Sequence, residues 1–397
     1  MTRQKPYVLA INGGSSSIKF TLYRWCEPLE RRLHGKVERI GARGTTLTFD
    51  DADRRQRHTR VIGDLDHASA AAFLIDWFDQ RIGFDSIGAV GHRVVNGGAN
   101  YNEPQRVTDE LLAELRRISS FAPEHLPSQI AVIDSCRARV PQLAQVACFD
   151  TAFHREMPRV AKLLPIPRRL QAQGVERYGF HGLSYAYLME TLARVAGADA
   201  AQGRVILAHL GNGASLAAVR GGKGIDTSMG FTPTAGVPMG TRSGDLDPGL
   251  VWYLARTEQM TAEAFQRMVN HESGLLGVSE TSSDLRDLLA READDVRAAE
   301  AVALFCYQVK KHIGAFAAAL GGLNTLVFTG GIGENAPVIR ARICADLEFL
   351  GICLDGPKNQ CSAPLISADT AAVQVRVIGT DEEIMIAKAV HSVLERA

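Results

Sequence analysis

Three short apolar runs, residues 7–11, 204–210 and 325–328, each lead into a glycine-rich segment: Asn12-Gly-Gly-Ser-Ser-Ser17, Gly211-Asn-Gly-Ala-Ser215 and Gly330-Gly-Ile-Gly-Glu-Asn335. Glycine admits positive φ and close backbone approach. Successive N–H groups in such a turn form a concavity for anions, and Lys19 adds a point charge beside the first. The chemistry that uses this arrangement is phosphate binding, although no GxxxxGK[ST] segment is present. Any one of these turns alone reads as an ordinary hairpin. Three in one chain, two of them at matching places, favour phosphate. The third also fits a dinucleotide fingerprint, Gly331-Ile-Gly333-Glu-Asn-Ala336 with Asp355 further on. That competing reading leaves the other two turns unexplained, and here the motif closes an α/β unit instead of opening one.

The charged groups extend the argument. Arg93 sits in the apolar stretch Gly91-His-Arg-Val-Val95, and Arg242 in the glycine-rich loop Met239-Gly-Thr-Arg-Ser-Gly-Asp245. An arginine among apolar neighbours needs an anionic partner or a solvated cleft. Each alone is as well read as a structural ion pair; two beside phosphate turns suit an anionic substrate and a phosphoryl transition state. Asp150 ends an apolar strand, a position that serves a ligand site or caps the next element. His181, in Arg177-Tyr-Gly-Phe-His-Gly182, reads as structural when taken alone. Glu382 and Glu383 open the last helix, as an acidic first turn or as hard oxygen donors to magnesium.

These residues must be positioned by a chain of 397 residues, long enough for two domains. Lys+Arg and Asp+Glu are both 44, so no global field draws nucleic acid or a membrane surface. The seven cysteines (26, 136, 148, 306, 344, 353 and 361) form no CxxC and no zinc spacing, and read as reduced thiols. The apolar run near the N-terminus is too short for a signal sequence, and no 18-residue apolar stretch exists. The expected location is cytoplasmic.

Hydrophobic spacing predicts strands at 7–11, 18–23, 45–49, 87–95, 144–149, 204–210, 216–219 and 325–328, and one leading into Ile378. It predicts helices around 71–78, 108–119, up to 139, 299–320 and from 337. Each half opens with strand, glycine-rich turn and return strand, then alternates helices and strands. This internal duplication predicts two related α/β domains facing each other across a cleft.

The same residues resemble a known family. Asn12-Gly-Gly-Ser-Ser-Ser-Ile-Lys-Phe20 is similar to the N-terminal signature of acetate kinases. Gly211–Ser215, Asp226-Thr-Ser-Met-Gly-Phe-Thr-Pro233 and the Met239–Asp245 loop resemble the second signature. Gly179-Phe-His-Gly182, the Arg93 segment and Gly330–Asn335 also fit, in order along the chain. The resemblance implies an α/β fold of two duplicated actin-like (ribonuclease H-like) domains flanking a nucleotide cleft. The domains would be residues 1–150 with 383–397, and residues 151–382. It implies reversible phosphoryl transfer from ATP to acetate, and a homodimer. Asn12 and Glu382 would hold Mg²⁺, with Mn²⁺ as the alternative ion. Lys19, His209, Leu210, Gly211, Asn212 and Gly213 would lie at the phosphates. Asp284, Leu285, Arg286, Gly331, Ile332, Gly333, Glu334 and Asn335 would meet the base and ribose. Arg93 would hold the carboxylate, Asp150 would be the catalytic carboxylate, and His181 and Arg242 would stabilise the transition state. Val95, Phe180 and Pro233 would line the acyl pocket. The sequence departs from the family pattern at Gly13, Asn96, residues 234–238, Gly379 and Glu124, the last where an apolar residue usually borders that pocket. Propionate and butyrate kinases are the alternatives within the family. An actin- or chaperone-like nucleotide-binding protein is the alternative outside it.

Overall fold

The structure, a computed structural model, describes residues 5–14, 16–52 and 56–396, with the side chain of Gln56 excepted. Ser15 of the first glycine-rich segment lies outside the described residues, as do the extreme ends of the expected domains. The chain forms two compact units, Met1–Ala152 with Asp381–Ala397, and Phe153–Thr380.

The first unit is built on strands β1 (Tyr7–Gly13), β2 (Ser17–Arg24), β3 (Glu30–Glu38), β4 (Thr45–Asp51), β5 (Gln56–Gly63), β6 (Ile87–Val94), β7 (Gln105–Arg106) and β8 (Ala144–Phe149). They form one sheet in the order β5-β4-β3-β2-β1-β6-β8-β7. The second unit has β9 (Arg204–Leu210), β10 (Ala214–Arg220), β11 (Lys223–Thr227), β12 (Thr325–Thr329) and β13 (Gln374–Val377), in the order β11-β10-β9-β12-β13. In each unit an antiparallel trio, β3-β2-β1 or β11-β10-β9, is followed by two parallel strands, β6-β8 or β12-β13. The duplication read from the paired turns is therefore present in the strand orders.

Period-two alternation sorts the first sheet's faces. Leu9 and Ile11 of β1 join Ile18, Phe20 and Leu22 of β2 in one core, with Leu74, Ile75 and Phe78 of helix His67–Arg81. The other face carries the terminal helix, Glu382–Glu395, packed on β1, β6 and β8. Gly91 of β6 makes that approach feasible: a Cβ there would sit 2.4 Å from Ile386 Cγ2 and 2.7 Å from Val390 Cγ2. In the second unit Val205, Leu207, Ala217, Val219 and Val327 pack under helix Gly182–Ala196 through Tyr185, Leu188 and Leu192.

Thr108 caps helix Asp109–Arg117 by accepting from Leu111 N at 3.2 Å, as its position predicts. The hydrophobic pattern misses β3, β5, β7 and β11. β3 shows why: only Leu33 and Val37 of its nine residues are fully buried, so no run of apolar residues marks it. The third glycine-rich segment is also corrected. Gly330–Asn335 is helical, not an open turn. Gly330 takes φ +78°, where a Cβ would meet Leu210 O at 2.6 Å, and the helix starts at once from that bend.

Candidate active site

In the first unit the ends of β1, β6 and β8 and the start of the terminal helix converge on Arg93. The Asp150 carboxylate, fully buried, accepts from Arg93 Nε at 3.1 and 3.0 Å and from Nη2 at 2.6 Å. Arg93 Nη1 donates to Asn12 Oδ1 at 3.0 Å and lies 3.8 Å from Glu382. Asn12 Nδ2 donates to Glu382 Oε2 at 2.8 Å and to Glu383 Oε1 at 2.9 Å. Burial works against the Arg93 charge, but Asp150 and then Glu382 outweigh it and hold the guanidinium above its ordinary pKa. Burial, and then Glu382, raise the Glu383 carboxyl above its usual range, with Lys19 and Asn12 opposing. Lys19 stands on β2 directly opposite Asn12, with its side chain exposed. Val95, buried just beyond β6, donates its N–H to Gln129 Oε1 at 2.9 Å.

In the second unit His181 takes the left-handed conformation (φ +57°) at the start of helix Gly182–Ala196. Its Nδ1 is 2.8 Å from Ser215 Oγ, which also meets Tyr185 OH at 2.5 Å. Its ring stacks on that of His209, centroids 4.3 Å apart, and His209 Nδ1 is held by Ser184 Oγ at 2.9 Å. Arg242 Nη1 donates to Pro233 O at 3.1 Å. A Cβ on Gly213 would be 3.4 Å from His181 Nε2 and 3.7 Å from Arg242 Nη1. The structure thus brings His181, His209, Gly213, Pro233 and Arg242 together. Phe180 is buried beside them in sequence, and its carbonyl meets His154 Nε2 at 3.0 Å. Val95 belongs to the first unit, and Phe180 and Pro233 to the second.

A cavity of about 550 Å³ in the second unit is lined by Gly211, Asn212, Asp284, Leu285, Arg286, Gly331, Ile332 and Asn335, with Gly240, Leu275, Ser283, Leu289 and Ala336. Its volume lies in the range of small-ligand sites, about 300–1,000 Å³. Leu210, Gly333 and Glu334 are not part of its wall. Leu210 is fully buried. Gly333 packs on the β12 backbone. Glu334 turns back to accept from Gly330 N at 2.9 Å and Thr329 Oγ1 at 3.2 Å. Asp284 caps the helix that opens at Leu285 and pairs with Arg286 at 2.5 Å, which holds the Asp284 carboxyl below its ordinary value.

The sequence pattern of the acetokinase family matches residues 7–388. The chain belongs to the acetokinase family. An acetate kinase of Rhodopseudomonas palustris is 45% identical, with 96% of this chain and 97% of that protein covered. A propionate kinase of Citrobacter rodentium is 44% identical, with 96% of each covered. The crystal structure of Porphyromonas gingivalis acetate kinase superposes with a TM-score of 0.87 at 36% identity, covering 98% of this chain and 99% of that one. A propionate kinase structure from Francisella tularensis gives 0.90 at 35%, covering 96% and 98%. The fold is the actin-like α/β fold of these kinases. The family makes the chain a kinase that binds ATP, and the dinucleotide reading of Gly331–Ala336 is set aside.

Two positioning residues escaped the sequence reading. Gln129, buried in helix Leu126–Arg139, accepts from Val95 N and donates to Gly13 O at 2.8 Å, tying the β1–β2 turn to the end of β6. Its signal was a polar residue among Ile130, Val132 and Ile133, which sequence alone does not distinguish from a surface position. Arg340 is fully buried, with no carboxylate partner among the described residues. Its donors reach Gly333 O (2.8 Å), Glu334 O (3.0 Å), Asn359 Oδ1 (2.8 Å), Asn359 O (2.7 Å) and Ser362 Oγ (2.9 Å), fixing the last turn of helix Gly330–Asn335. The Gly13 departure is accommodated: a methyl there would make an ordinary 3.5 Å contact with Gln129 Cγ. Asn96 is buried and closes its own turn, accepting from Gly98 N at 2.7 Å. Glu124 is half-buried and partnered, just ahead of the helix that carries Gln129.

Proposed function

We propose that this kinase transfers the γ-phosphoryl group of ATP to acetate, reversibly, giving acetyl phosphate and ADP. The observation that carries the reading is Arg93: a guanidinium held in place by Asp150 and Asn12, at the ends of three strands, beside the two acidic residues that open the last helix. A carboxylate oxygen attacks the γ-phosphorus, the bond to the β–γ bridging oxygen breaks, and ADP leaves with that electron pair. The nucleophile is already anionic, so no strong base is required. The obstacle is the approach of two anions, which Arg93 and Arg242 offset, with His181 stabilising the in-flight group. In this reading Asp150 orients Arg93, and the 550 Å³ cavity takes the nucleotide, with Gly211–Gly213 and His209 toward its phosphates.

The donors present fit a hard divalent cation. Glu382 and Glu383 both face the Asn12 amide, and their mutual repulsion is what a cation relieves. Among the described residues no group of three or more His, Cys, Asp or Glu is placed to hold a metal. Asn12, Glu382 and Glu383 would therefore hold Mg²⁺ or Mn²⁺ jointly with water and phosphate oxygens. When bound, the ion offsets phosphate charge. A homodimer and a cytoplasmic location belong to the same reading.

Relatives named propionate kinase support a second substrate, and one methylene is worth only about 1–3 kcal/mol of discrimination. The test is hydroxylamine trapping of acyl phosphate with MgATP and acetate, propionate or butyrate. Acetyl hydroxamate is expected as the major product, and no hydroxamate with any acid would overturn the proposal.

A further inference from the structure

One face of the antiparallel part of the first sheet carries cations beyond those the proposed reaction uses. The registers place Lys19 of β2 opposite Lys36 of β3, and Lys36 opposite Thr48 of β4. The adjacent row runs Thr21, His34, Asp50 and Arg57. All seven line a cavity of about 340 Å³, together with Arg31 and Glu383. Like charges directly across a strand pair destabilise a sheet unless an anion answers them, and Lys19 faces Lys36 in this way. Some of the charge is answered locally. Arg31 pairs with Asp381, Lys36 Nζ lies 2.6 Å from Glu38, and His34 Nε2 lies 3.4 Å from Asp50. Lys19 and Arg57 make no ion pair among the described residues. The wall therefore presents four permanent cations, of which Arg31 and Lys36 are answered by Asp381 and Glu38 outside the lining while Lys19 and Arg57 are left for an anion, on a concave surface that concentrates field.

We propose that this face binds a small multivalent oxyanion, with Lys19, Lys36 and Arg57 supplying the charge and Thr21 and Thr48 flanking it. The ligand class is a bisphosphate or a polycarboxylate; both present the same chemistry to three cations. Lys19 is shared with the proposed phosphate-binding residues, so an occupant inhibits phosphoryl transfer. That consequence rests on the proposed function, whereas binding itself does not.

The test is isothermal titration of the full chain at low ionic strength, with ADP saturating and no divalent cation, using 2,3-bisphosphoglycerate and propane-1,2,3-tricarboxylate as probes. Saturable binding of at least one probe is expected, weakening as salt rises. It should fall about tenfold or more in Lys36→Gln/Arg57→Gln, which loses two charge-assisted partners. Binding of the bisphosphate alone assigns a phosphate ester, and of the tricarboxylate alone a polycarboxylate; either supports the site. Failure of both probes, or wild-type affinity in the double variant, overturns it. Arg57→Gln alone, an exposed change on edge strand β5, gives the same reading if the double variant does not fold. Failure of ADP to bind the wild-type chain in a separate titration with Mg²⁺ counts against the proposed function and leaves this site standing.

Discussion

Replacing Asp150 isolates what holds Arg93 in place. The carboxylate is fully buried and receives the three short contacts from Nε and Nη2. Without it the guanidinium, whose side chain is only 15% exposed, keeps Asn12 Oδ1 at 3.0 Å and Glu382 at 3.8 Å. Removing one partner of a buried pair costs about 3–5 kcal/mol, because the other charge stays buried. The remaining acceptors place Asp150→Ala near the lower end, about 3 kcal/mol. Asp150→Asn keeps an acceptor and loses the charge, so about half that is expected, within the roughly 1.5–3 kcal/mol of hydrogen bonds to charged groups. Arg93→Ala/Asp150→Ala leaves neither member of that pair orphaned and should cost less than the sum of the single changes by about 2 kcal/mol. Urea unfolding of the wild type and these variants measures the cycle. The kinetic arm uses Asp150→Asn. If Asp150 orients Arg93, kcat/KM for the carboxylate falls while the pH–rate profile keeps its acidic limb. Additive single-variant costs, or a profile that loses that limb, would refute the reasoning.

Four further outcomes test other parts of the structure. Gly91→Ala should destabilise by about 1–3 kcal/mol through overpacking against Ile386 and Val390, and Ile386→Ala in the same chain should recover part of the loss in a thermal melt. His92 and His154 are buried and their pKa values are lowered to about 4, chiefly by desolvation. Both stay neutral in the fold, so their contribution is fully present above about 6.5 and is lost as pH falls towards 4. The slope is about 1.4 kcal/mol per pH unit for each histidine, and His92→Gln should flatten the urea midpoint against pH in that window. Gly213→Ala sets a methyl against His181 Nε2 and Arg242 Nη1; turnover should drop about tenfold or more with an unchanged melting temperature, since 1.4 kcal/mol of transition-state stabilisation is tenfold. A thiol reagent on the native chain should label Cys353 and Cys361 first and Cys26 more slowly. Cys136, Cys148, Cys306 and Cys344 should react only on unfolding, because burial excludes the reagent and pushes their thiols up to about 11 or 12.

How far the site could be read in advance depended on which residues act through type and which through placement. Arg93, Asp150 and Glu382 were legible because each is chemically conspicuous where it stands: a charge inside an apolar run, carboxylates at strand and helix ends; Asn12 entered through the family resemblance. The structure joins all four. The two hairpins, β1–β2 and β9–β10, were legible as well, since a turn and a return strand leave a local pattern, whereas the order of the strands beyond them was not. What stayed hidden is held by partners distant in sequence. Gln129 bonds a carbonyl 116 residues away, and nothing in its neighbours announces that. Arg340 reaches Gly333 and Glu334 across a chain reversal and is satisfied by carbonyls, an amide and a hydroxyl, so no acidic residue marks it. β3 and β5 were hidden for the opposite reason. Their outward rows are polar, and that polarity, which weakens the strand signal, is what sets Lys36 and Arg57 on one face with Lys19 of β2. A pattern search for buried strands discards such rows as loops, yet a sheet that exposes two directly opposed lysines has kept a costly arrangement that packing does not explain. The same feature that defeats the secondary-structure reading is therefore the one that points to a ligand.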